Sequence, residues 1–293
     1  MKVVVFGATG FIGRALVEAL DGAHEVVAVS RRPHHPDGVT WAVADVTDDD
    51  AVAAALAGAD AAYYLVHSLG ARDFAERDIA GAETVAREAE RAGLDQLVYL
   101  GGLGDDSPDL SEHLRSRHET GEALASGSVP VTTLRAAMVV GAGSAAFETI
   151  LALVDRLPGM VTPRWVTTQT QPIALADVVS YLAGVLGREE TFGRSFDVGG
   201  PDVITYREMI ERIARLRGKR PLIVEVPLLS PRLSSYWLHL VTPVKAAVAR
   251  PLIEGLRTAT VARDDAIRTL LPFEPTPFDA AARTALVERE RLP

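Results

Sequence analysis

A glycine-rich segment directly after the first apolar run constrains the fold of this chain more than any other feature. Val3 to Phe6 are strand-forming residues and lead into Gly7-Ala8-Thr9-Gly10-Phe11-Ile12-Gly13, where three glycines are spaced G-x-x-G-x-x-G. Helical periodicity begins within this segment. A strand, a glycine turn and a helix in this order are typical of the phosphate-binding start of a nucleotide-binding α/β fold. We therefore predict that residues 7–13 bind a dinucleotide.

The three glycines have different expected roles. Gly7 lets the chain turn sharply, Gly10 leaves room for a pyrophosphate to approach the backbone, and Gly13 lets the helix pack closely on the strand. Amides at the helix start, together with the helix dipole, favour an anion there. A glycine-rich turn without a ligand is the alternative interpretation.

Strand-forming runs alternate with alanine-rich helical stretches through the first half of the chain. This alternation is typical of a parallel sheet that is covered on both faces. Strands are predicted at Val3–Phe6, Glu25–Val29, Trp41–Val43, Ala61–Leu65, Gln96–Leu100 and Val131–Leu134, and helices at Phe11–Leu20, Asp49–Leu56, Asp73–Ala92 and Ser111–Ala125. The right-handed crossover rule arranges these elements as a Rossmann-type, doubly wound α/β fold.

After about Gly141 the alternation loosens, and the second half does not repeat the first. Helices are predicted at Phe147–Leu157, Asp177–Leu186, Tyr206–Leu216 and Asp279–Arg289, and extended segments at Gln171–Ile173, Ser195–Val198 and Ile223–Val226. We expect a Rossmann core over residues 1–140 and a smaller C-terminal lobe over residues 141–293. Because no low-complexity linker separates them, the lobe is expected to interleave with the sheet.

The residues at the end of the second strand indicate which dinucleotide binds. In this fold an acid about 20 residues past the glycines accepts the ribose hydroxyls of NAD, whereas an arginine accommodates the extra phosphate of NADP. The sequence there reads Ser30-Arg31-Arg32, with no acid. A guanidinium matches a phosphate bidentately, so we expect Arg31, assisted by Ser30 or Arg32, to favour NADP(H) over NAD(H). A basic turn exposed to solvent is the alternative.

Composition excludes several classes of function. The chain has 30 Lys and Arg against 39 Asp and Glu, for a net charge of -9. This acidic balance argues against nucleic-acid binding. The absence of cysteine excludes disulfides and thiolate ligands and suits a reducing compartment, so a cytoplasmic location is expected. Neither a signal peptide nor a transmembrane segment is expected, and the adjacent His34 and His35 with Asp37 are not expected to hold a metal.

Several segments resemble atypical and extended short-chain dehydrogenase/reductases, particularly the NmrA-like and YbjT-like NAD(P)-binding proteins related to the complex I accessory subunit. The resemblance covers almost the whole chain. It is carried by the glycine segment, Asp45-Val46, Tyr64-Leu65-Val66-His67-Ser68, Val98-Tyr99-Leu100-Gly101-Gly102, Gln171-Pro172-Ile173-Ala174 and Asp197-Val198-Gly199-Gly200-Pro201. The resemblance implies that Asp45 and Val46 line the adenine and that Leu65, Val66 and His67 pass the cofactor's ribose.

The chain departs from this family at the centre of the chemistry. Relatives with conventional dehydrogenase activity carry a Tyr-x-x-x-Lys pair on the helix after the fifth strand, where this chain has His113 and Arg117. The i, i+4 spacing still places both side chains on one helix face. His113 is a candidate general acid and Arg117 the candidate ribose contact. His67, a water molecule and the substrate itself are the other candidate proton sources. A helix face exposed to solvent is the alternative.

These observations predict an atypical NADP(H)-dependent oxidoreductase that acts on a small or isoprenoid-like carbonyl, enone or quinone. Aromatic and apolar residues in Pro163–Val166 and Ser234–Leu240 are compatible with a hydrophobic substrate wall or with simple core packing. The missing Tyr and Lys leave two alternatives open, a non-catalytic NADP(H)-sensing regulator or assembly factor and an enzyme similar to nucleotide-sugar epimerases. A protein partner and peripheral membrane contact also stay open.

Overall fold

The computed structural model describes residues 1–33, 38–68, 73–104, 110–157, 159–162, 164–225 and 255–291. The turn with His34, His35 and Asp37 and the aromatic segment Ser234–Leu240 lie outside the described residues, as do Pro163 and Val226. No helix within the described ranges combines the length and the apolar character that a membrane crossing requires.

The elements alternate through the first half and become shorter and more irregular in the second. The strands are β1 Lys2–Phe6, β2 Glu25–Ser30, β3 Thr40–Val43, β4 Ala61–Tyr64, β5 Gln96–Gly102, β6 Val131–Ala136, β7 Val139–Val140, β8 Gly159–Thr162, β9 Gln169–Thr170, β10 Ile173–Ala174, β11 Ser195–Val198, β12 Ile204–Thr205 and β13 Leu222–Glu225. The helices are α1 Phe11–Leu20, α2 Asp49–Leu56, α3 Phe74–Ala92, α4 Glu112–Leu124, α5 Ala145–Arg156, α6 Leu175–Val185, α7 Tyr206–Leu216, α8 Ala266–Leu270 and α9 Phe278–Arg289.

Seven strands form one parallel sheet in the order β3-β2-β1-β4-β5-β6-β11. The predicted Rossmann-type α/β fold is therefore confirmed. Strand order reverses between β1 and β4, and in open α/β sheets ligands bind outside the carboxyl ends of the strands at such a switch point. Gly7 follows β1 and Leu65 follows β4, so the glycine segment lies beside this crevice.

Both faces of the sheet are covered, as the continuous apolar character of its strands requires. Helices α1 and α6 pack together on one face, and α2, α3 and α4 on the other. Tyr63 and Tyr64 are fully buried and point to opposite faces. The Tyr63 hydroxyl donates to the Leu182 carbonyl of α6 at 2.9 Å, and the Tyr64 hydroxyl donates to the Asp78 carbonyl of α3 at 3.3 Å.

The edge strand β11, Ser195–Val198, belongs to residues 141–293, the part of the chain predicted to form the C-terminal lobe. Its Asp197 carboxylate accepts a hydrogen bond from Arg135 of β6 at 2.8 Å and another from the Arg263 amide at 2.9 Å. The carboxylate is almost fully buried, so these partners replace the water that it loses. The C-terminal half thus supplies both a sheet strand and, through α6, part of one helical layer.

Helices α5, α7 and α9 form a separate apolar cluster, whereas α8 packs with the sheet through Ile267. Helix α7 begins with a capping box, because the Thr205 side chain accepts from the Glu208 amide at 3.1 Å and the Glu208 carboxylate accepts from the Thr205 amide at 2.7 Å. Two helix-terminal donors are thereby paired. This cap fixes the start of α7 at Tyr206, which faces the crevice above the sheet.

Replacing Thr205 by alanine is expected to lower the free energy of unfolding by about 1 kcal/mol, because the Glu208 amide loses its acceptor. Urea unfolding monitored by circular dichroism measures this change. Thr205→Ser keeps the hydroxyl and is the matched control. Equal stability of the alanine and serine variants would show that the capping hydroxyl contributes nothing.

Candidate functional site

Two cavities lie side by side at the carboxyl edge of the sheet. Cavity 1, of about 510 Å³, is lined by Phe6, Gly7, Thr9, Gly10, Val29, Ser30, Arg31, Ala44, Asp45, Val46, Thr47, Leu65, Val66, His67, Ser68 and Arg77. Cavity 2, of about 530 Å³, is lined by residues that include Gly10, Phe11, Ile12, Gly13, Leu65, His67, Leu100, Gly101, Gly102, Leu103, His113, Leu114, Arg117, Met138, Ser144, Tyr206, Leu256 and Thr260. Gly10, Leu65 and His67 line both, so the two cavities meet there.

The structure brings most of the sequence-predicted cofactor residues to these walls. Ser30, Arg31, Asp45, Val46 and Val66 line cavity 1, although they come from three separate segments, at the carboxyl ends of β2, β3 and β4. Phe11, Ile12 and Gly13 line cavity 2 instead. Neither Ala8, which is fully buried, nor Arg32, which is exposed, is among the described residues that line the two cavities.

The glycine segment forms a cradle that larger residues could not form. Gly7 has φ +85°, and a Cβ atom there would lie 2.7 Å from the Leu65 carbonyl carbon. A Cβ atom on Gly13 would lie 2.2 Å from the Gly7 carbonyl oxygen. Gly10 caps α1 without a side chain, which leaves the amides of the first turn open toward the cavity. This arrangement fits the pyrophosphate of a dinucleotide.

Cavity 1 has two arginines, Arg31 and Arg77, which suit an anionic group, and one carboxylate, Asp45, which suits an N–H donor of a nucleotide base. One Asp45 oxygen accepts from the Thr47 amide at 3.1 Å and from the Thr47 hydroxyl at 2.9 Å. Burial raises the pKa of Asp45, but these bonds and the positive charges of Arg31 and Arg77 together hold it below its ordinary value. Asp45 is therefore an ionised acceptor stabilised by the charges of two arginines. Arg77, on α3, was not anticipated from the sequence.

His67 occupies the junction of the cavities and is held by a buried carboxylate. Its Nδ1 lies 2.7 Å from one Asp78 oxygen, while the Ser68 amide donates to the other at 2.9 Å. The Asp78 side chain is only 2% exposed. Burial raises the pKa of Asp78, but the hydrogen bonds and charge of His67 and the Ser68 amide bring it below its ordinary value. Asp78 is therefore ionised at neutral pH.

The position of Asp78 in the sequence indicates by itself that this carboxylate has a partner. Phe74, Asp78, Ala82, Val85 and Ala89 lie on the buried stripe of α3, and an acid within such a stripe needs a partner. The partner, His67, belongs to the loop after β4. Only packing of α3 against that loop brings the two together.

His113 and Arg117 both reach cavity 2. Burial, followed by the charges of His67 and Arg117, lowers the pKa of His113 to about 3, so its imidazole is neutral at pH 7. The Arg117 guanidinium carbon lies 5.0 Å from the centre of the Tyr99 ring, a cation–π contact. The helix face that carries His113 and Arg117 thus turns toward the cavity.

Apolar side chains make up most of the remaining wall of cavity 2. Leu100 and Leu103 come from β5 and the loop after it, Leu114 from α4, and Met138 from the segment after β6. Among the described residues that line cavity 2, Tyr206 is the only tyrosine. Burial raises the pKa of its phenol, although hydrogen bonds with Thr170 and Thr260 act in the opposite direction. Cavity 2 therefore suits an apolar ligand with a small polar group.

Comparisons with known proteins agree with this geometry. A family model described as NAD(P)H-binding matches residues 7–144. The (4-alkanoyl-5-oxo-2,5-dihydrofuran-3-yl)methyl phosphate reductase of Streptomyces griseus is 31% identical over 235 residues, which cover 76% of this chain and 76% of that protein. The mitochondrial NADH dehydrogenase (ubiquinone) 1 alpha subcomplex subunit 9 of Arabidopsis thaliana is 27% identical over 239 residues, which cover 76% of this chain and 60% of that subunit.

Solved structures show the same fold. The NADPH-dependent quinone oxidoreductase from Escherichia coli, solved with NADPH, superposes with a TM-score of 0.78 at 20% identity, covering 98% of this chain and 99% of that one. This chain belongs to the atypical short-chain dehydrogenase/reductase family of NAD(P)-binding proteins. The family resemblance that the sequence indicated is therefore confirmed. The chain belongs to a superfamily of NAD(P)-binding oxidoreductases and epimerases.

Proposed function

We propose that this protein is an NADP(H)-dependent reductase of a hydrophobic carbonyl, enone or quinone. The observation that carries the proposal is the junction of the two cavities at Gly10, Leu65 and His67. A dinucleotide that crosses this junction has its phosphates at the glycine segment and its other end beside an apolar chamber. Bound NADPH supplies a hydride to the substrate, and the protein supplies binding, orientation and exclusion of water.

The preference for NADP(H) rests on charge. Arg31 and Arg77 both act on Asp45 in cavity 1, so this wall offers two guanidinium groups to a ligand phosphate. Guanidinium groups bind phosphate bidentately and stay charged at all physiological pH values.

The proposed substrate class rests on the wall of cavity 2 and on the named relatives. Leucine, methionine and alanine side chains dominate that wall, and apolar contact supplies binding energy for an alkyl or ring system. The Streptomyces griseus relative is named as a reductase of an alkanoyl-bearing compound. We therefore expect ketones, enones or quinones with an apolar body to be reduced faster than short polar carbonyls.

Thermal-shift measurements with NADPH and NADH, followed by turnover assays, test the proposal. A ligand that binds only the folded state stabilises it by about 2.7 kcal/mol at a concentration of 100 Kd, so NADPH is expected to raise the melting temperature more than NADH at equal concentration. Purified protein is then expected to oxidise NADPH when a panel of hydrophobic ketones, enones and quinones is added. Absence of any shift with either dinucleotide would contradict cofactor binding at this site.

A non-catalytic NADP(H) sensor is the second candidate, favoured by the replacement of the conventional Tyr and Lys by His113 and Arg117. A sensor would gain stability or change its oligomeric state with NADPH but would oxidise no member of the panel. An epimerase of nucleotide sugars is less favoured. Such a substrate carries a diphosphate, and Arg117 is the only lysine or arginine among the described residues that line cavity 2.

A further inference from the structure

Two histidine rings face each other in cavity 2, and each has a buried nitrogen without a hydrogen-bond partner. These atoms are Nε2 of His67 and Nδ1 of His113, and no described residue pairs with either. The ring centroids are 5.0 Å apart and the ring planes are inclined by 35°. Because buried polar atoms in folded proteins are nearly always hydrogen-bonded, these nitrogens mark a position for a polar atom of a ligand.

Asp78 determines what the free nitrogen of His67 can do. The ionised carboxylate accepts a hydrogen bond from Nδ1–H at 2.7 Å, which places the ring hydrogen on Nδ1 in the neutral form. Nε2 is then an acceptor when the ring is neutral and a donor when it is protonated. A buried carboxylate that fixes a histidine tautomer in this way also stabilises the imidazolium.

His113 stays neutral beside it. Burial and the neighbouring charges of His67 and Arg117 oppose protonation of its ring. A second imidazolium would repel the first, so the pair holds at most one positive charge near neutral pH. The buried Nδ1 of His113 is left without a hydrogen-bond partner among the described residues.

We propose that Asp78 and His67 form the proton-transfer pair of this site, in which His67 Nε2 exchanges a proton with a substrate oxygen held beside His113. The inference deepens the proposed reductase function and rests on it. During reduction the Nε2–H bond breaks and its electron pair stays on the imidazole, while an O–H bond forms on the former carbonyl oxygen. The electron pair that the carbon gains comes from the reduced cofactor. Solvent then reprotonates His67.

This assignment selects among the proton sources that the sequence left open, which were His113, His67, a water molecule or the substrate itself. The Asp78 charge favours protonation of both rings, but among the described residues it is His67 that contacts the carboxylate directly, at 2.7 Å. His67 is therefore the catalytic residue, Asp78 positions it, and His113 holds the oxygen.

The direction of pH dependence follows from the groups around His67. Burial lowers the pKa of His67, the Asp78 carboxylate on α3 raises it, and Arg117 on α4 lowers it, so the pKa lies below its ordinary value. His113 on α4 adds no charge near pH 7. Reduction needs the imidazolium, so its rate is expected to rise as the pH falls toward this pKa. Oxidation of the alcohol needs neutral His67 and is expected to be fastest above it.

Three variants of the full chain test the pair, namely His67→Gln, Asp78→Asn and the control His24→Gln, a histidine that lies between α1 and β2, outside both cavities. NMR titration of the unliganded protein measures the pKa of His67. Single-turnover oxidation of NADPH with the best substrate of the panel gives the transfer rate between pH 5 and pH 9. Urea unfolding and NADPH titration check that each variant folds and binds the cofactor.

His67→Gln is expected to slow the transfer step by about 100-fold or more, as for removal of a general acid, and His24→Gln to leave it unchanged. Asp78→Asn is expected to lower the pKa of His67 by about one pH unit in the NMR titration. The midpoint of its pH–rate profile should move down by the same amount, with NADPH still bound. A merely structural role of Asp78 would not shift both quantities together.

Two results overturn the inference while the proposed function stands. One is a transfer rate in His67→Gln within threefold of the wild type, and the other is a pH–rate midpoint that stays in place while the NMR pKa of His67 moves. If the wild-type protein binds NADPH but reduces no member of the panel, the reductase function itself is wrong and the inference falls with it. The wild-type assay therefore separates the two failures.

Discussion

Alanine at Gly13 is expected to destabilise the fold by about 3 kcal/mol, whereas alanine at Gly10 is expected to weaken NADPH binding with little effect on stability. A Cβ atom on Gly13 would lie 2.2 Å from the Gly7 carbonyl oxygen and 2.9 Å from the Ala8 Cα. Both obstacles are backbone atoms, so α1 would have to move away from β1. Gly13 is thus required by packing alone.

Gly10 differs because its surroundings are open. The nearest atom to a Cβ there is the Gly7 carbonyl oxygen at 3.1 Å, and the backbone of Gly10 has φ -73°, which alanine adopts without strain. Loss of chain entropy in the unfolded state offsets part of the small remaining cost. The added methyl group instead stands where the two cavities meet. We expect NADPH affinity to fall by about 100-fold, or about 2.7 kcal/mol.

Urea unfolding without ligand and calorimetric titration with NADPH separate the two effects. Each variant is the control for the other, since both add one methyl group within the same segment. A Gly10→Ala protein that binds NADPH as tightly as the wild type would show that the phosphates do not approach this residue. A fully stable Gly13→Ala protein would contradict the close packing of α1 on β1.

Charge reversal at Arg31 is expected to weaken NADPH binding by about 100-fold and to change NADH binding by no more than about threefold. A hydrogen bond to a charged group contributes about 1.5–3 kcal/mol, and aspartate adds repulsion of the phosphate. NADH lacks this phosphate, so its affinity reports any general damage to cavity 1. Calorimetric titration of the Arg31→Asp protein with both dinucleotides measures the difference.

Arg32→Asp is the matched comparison. Arg32 adjoins Arg31 in the chain but lies outside the described lining of both cavities, and the Ser30 hydroxyl donates to its backbone carbonyl rather than contacting its side chain. Arg32 then acts on the phosphate only through long-range electrostatic attraction, so we expect Arg32→Asp to lower NADPH affinity by less than about tenfold. Equal losses in the two variants would indicate that neither guanidinium contacts the phosphate directly.

The sequence predicted the first half of the fold closely because its signals are local. Helix α1 spans Phe11–Leu20 and α2 spans Asp49–Leu56, as predicted, since apolar periodicity and flanking turns suffice to delimit them. Strands β5 and β6 extend two residues further than predicted, to Gly102 and Ala136. These ends pair with each other, and pairing between strands is not visible in either strand alone.

The second half was harder to predict because its strands are short and depend on distant partners. Strands β7, β9, β10 and β12 have two residues each and form only through pairs such as Ile173 with Val139. Two residues carry no detectable alternation. The extended character of Gln171–Ile173 was anticipated, but its pairing partner and the start of β10 at Ile173 were not.

The linear chain by itself predicts where a ligand with phosphates would bind. Strand, glycine turn and helix are consecutive, and the ends of parallel strands must meet at one edge of the sheet, so residues 7–13, Arg31, Asp45 and His67 were bound to be neighbours. Only tertiary packing decided which side chains act on one another. Arg77 lowers the pKa of Asp45, Asp78 orients His67, and His113 faces His67, because α3 and α4 pack against the loops that follow β3 and β4. Such contacts depend on the relative rotation of whole elements, which no local periodicity encodes.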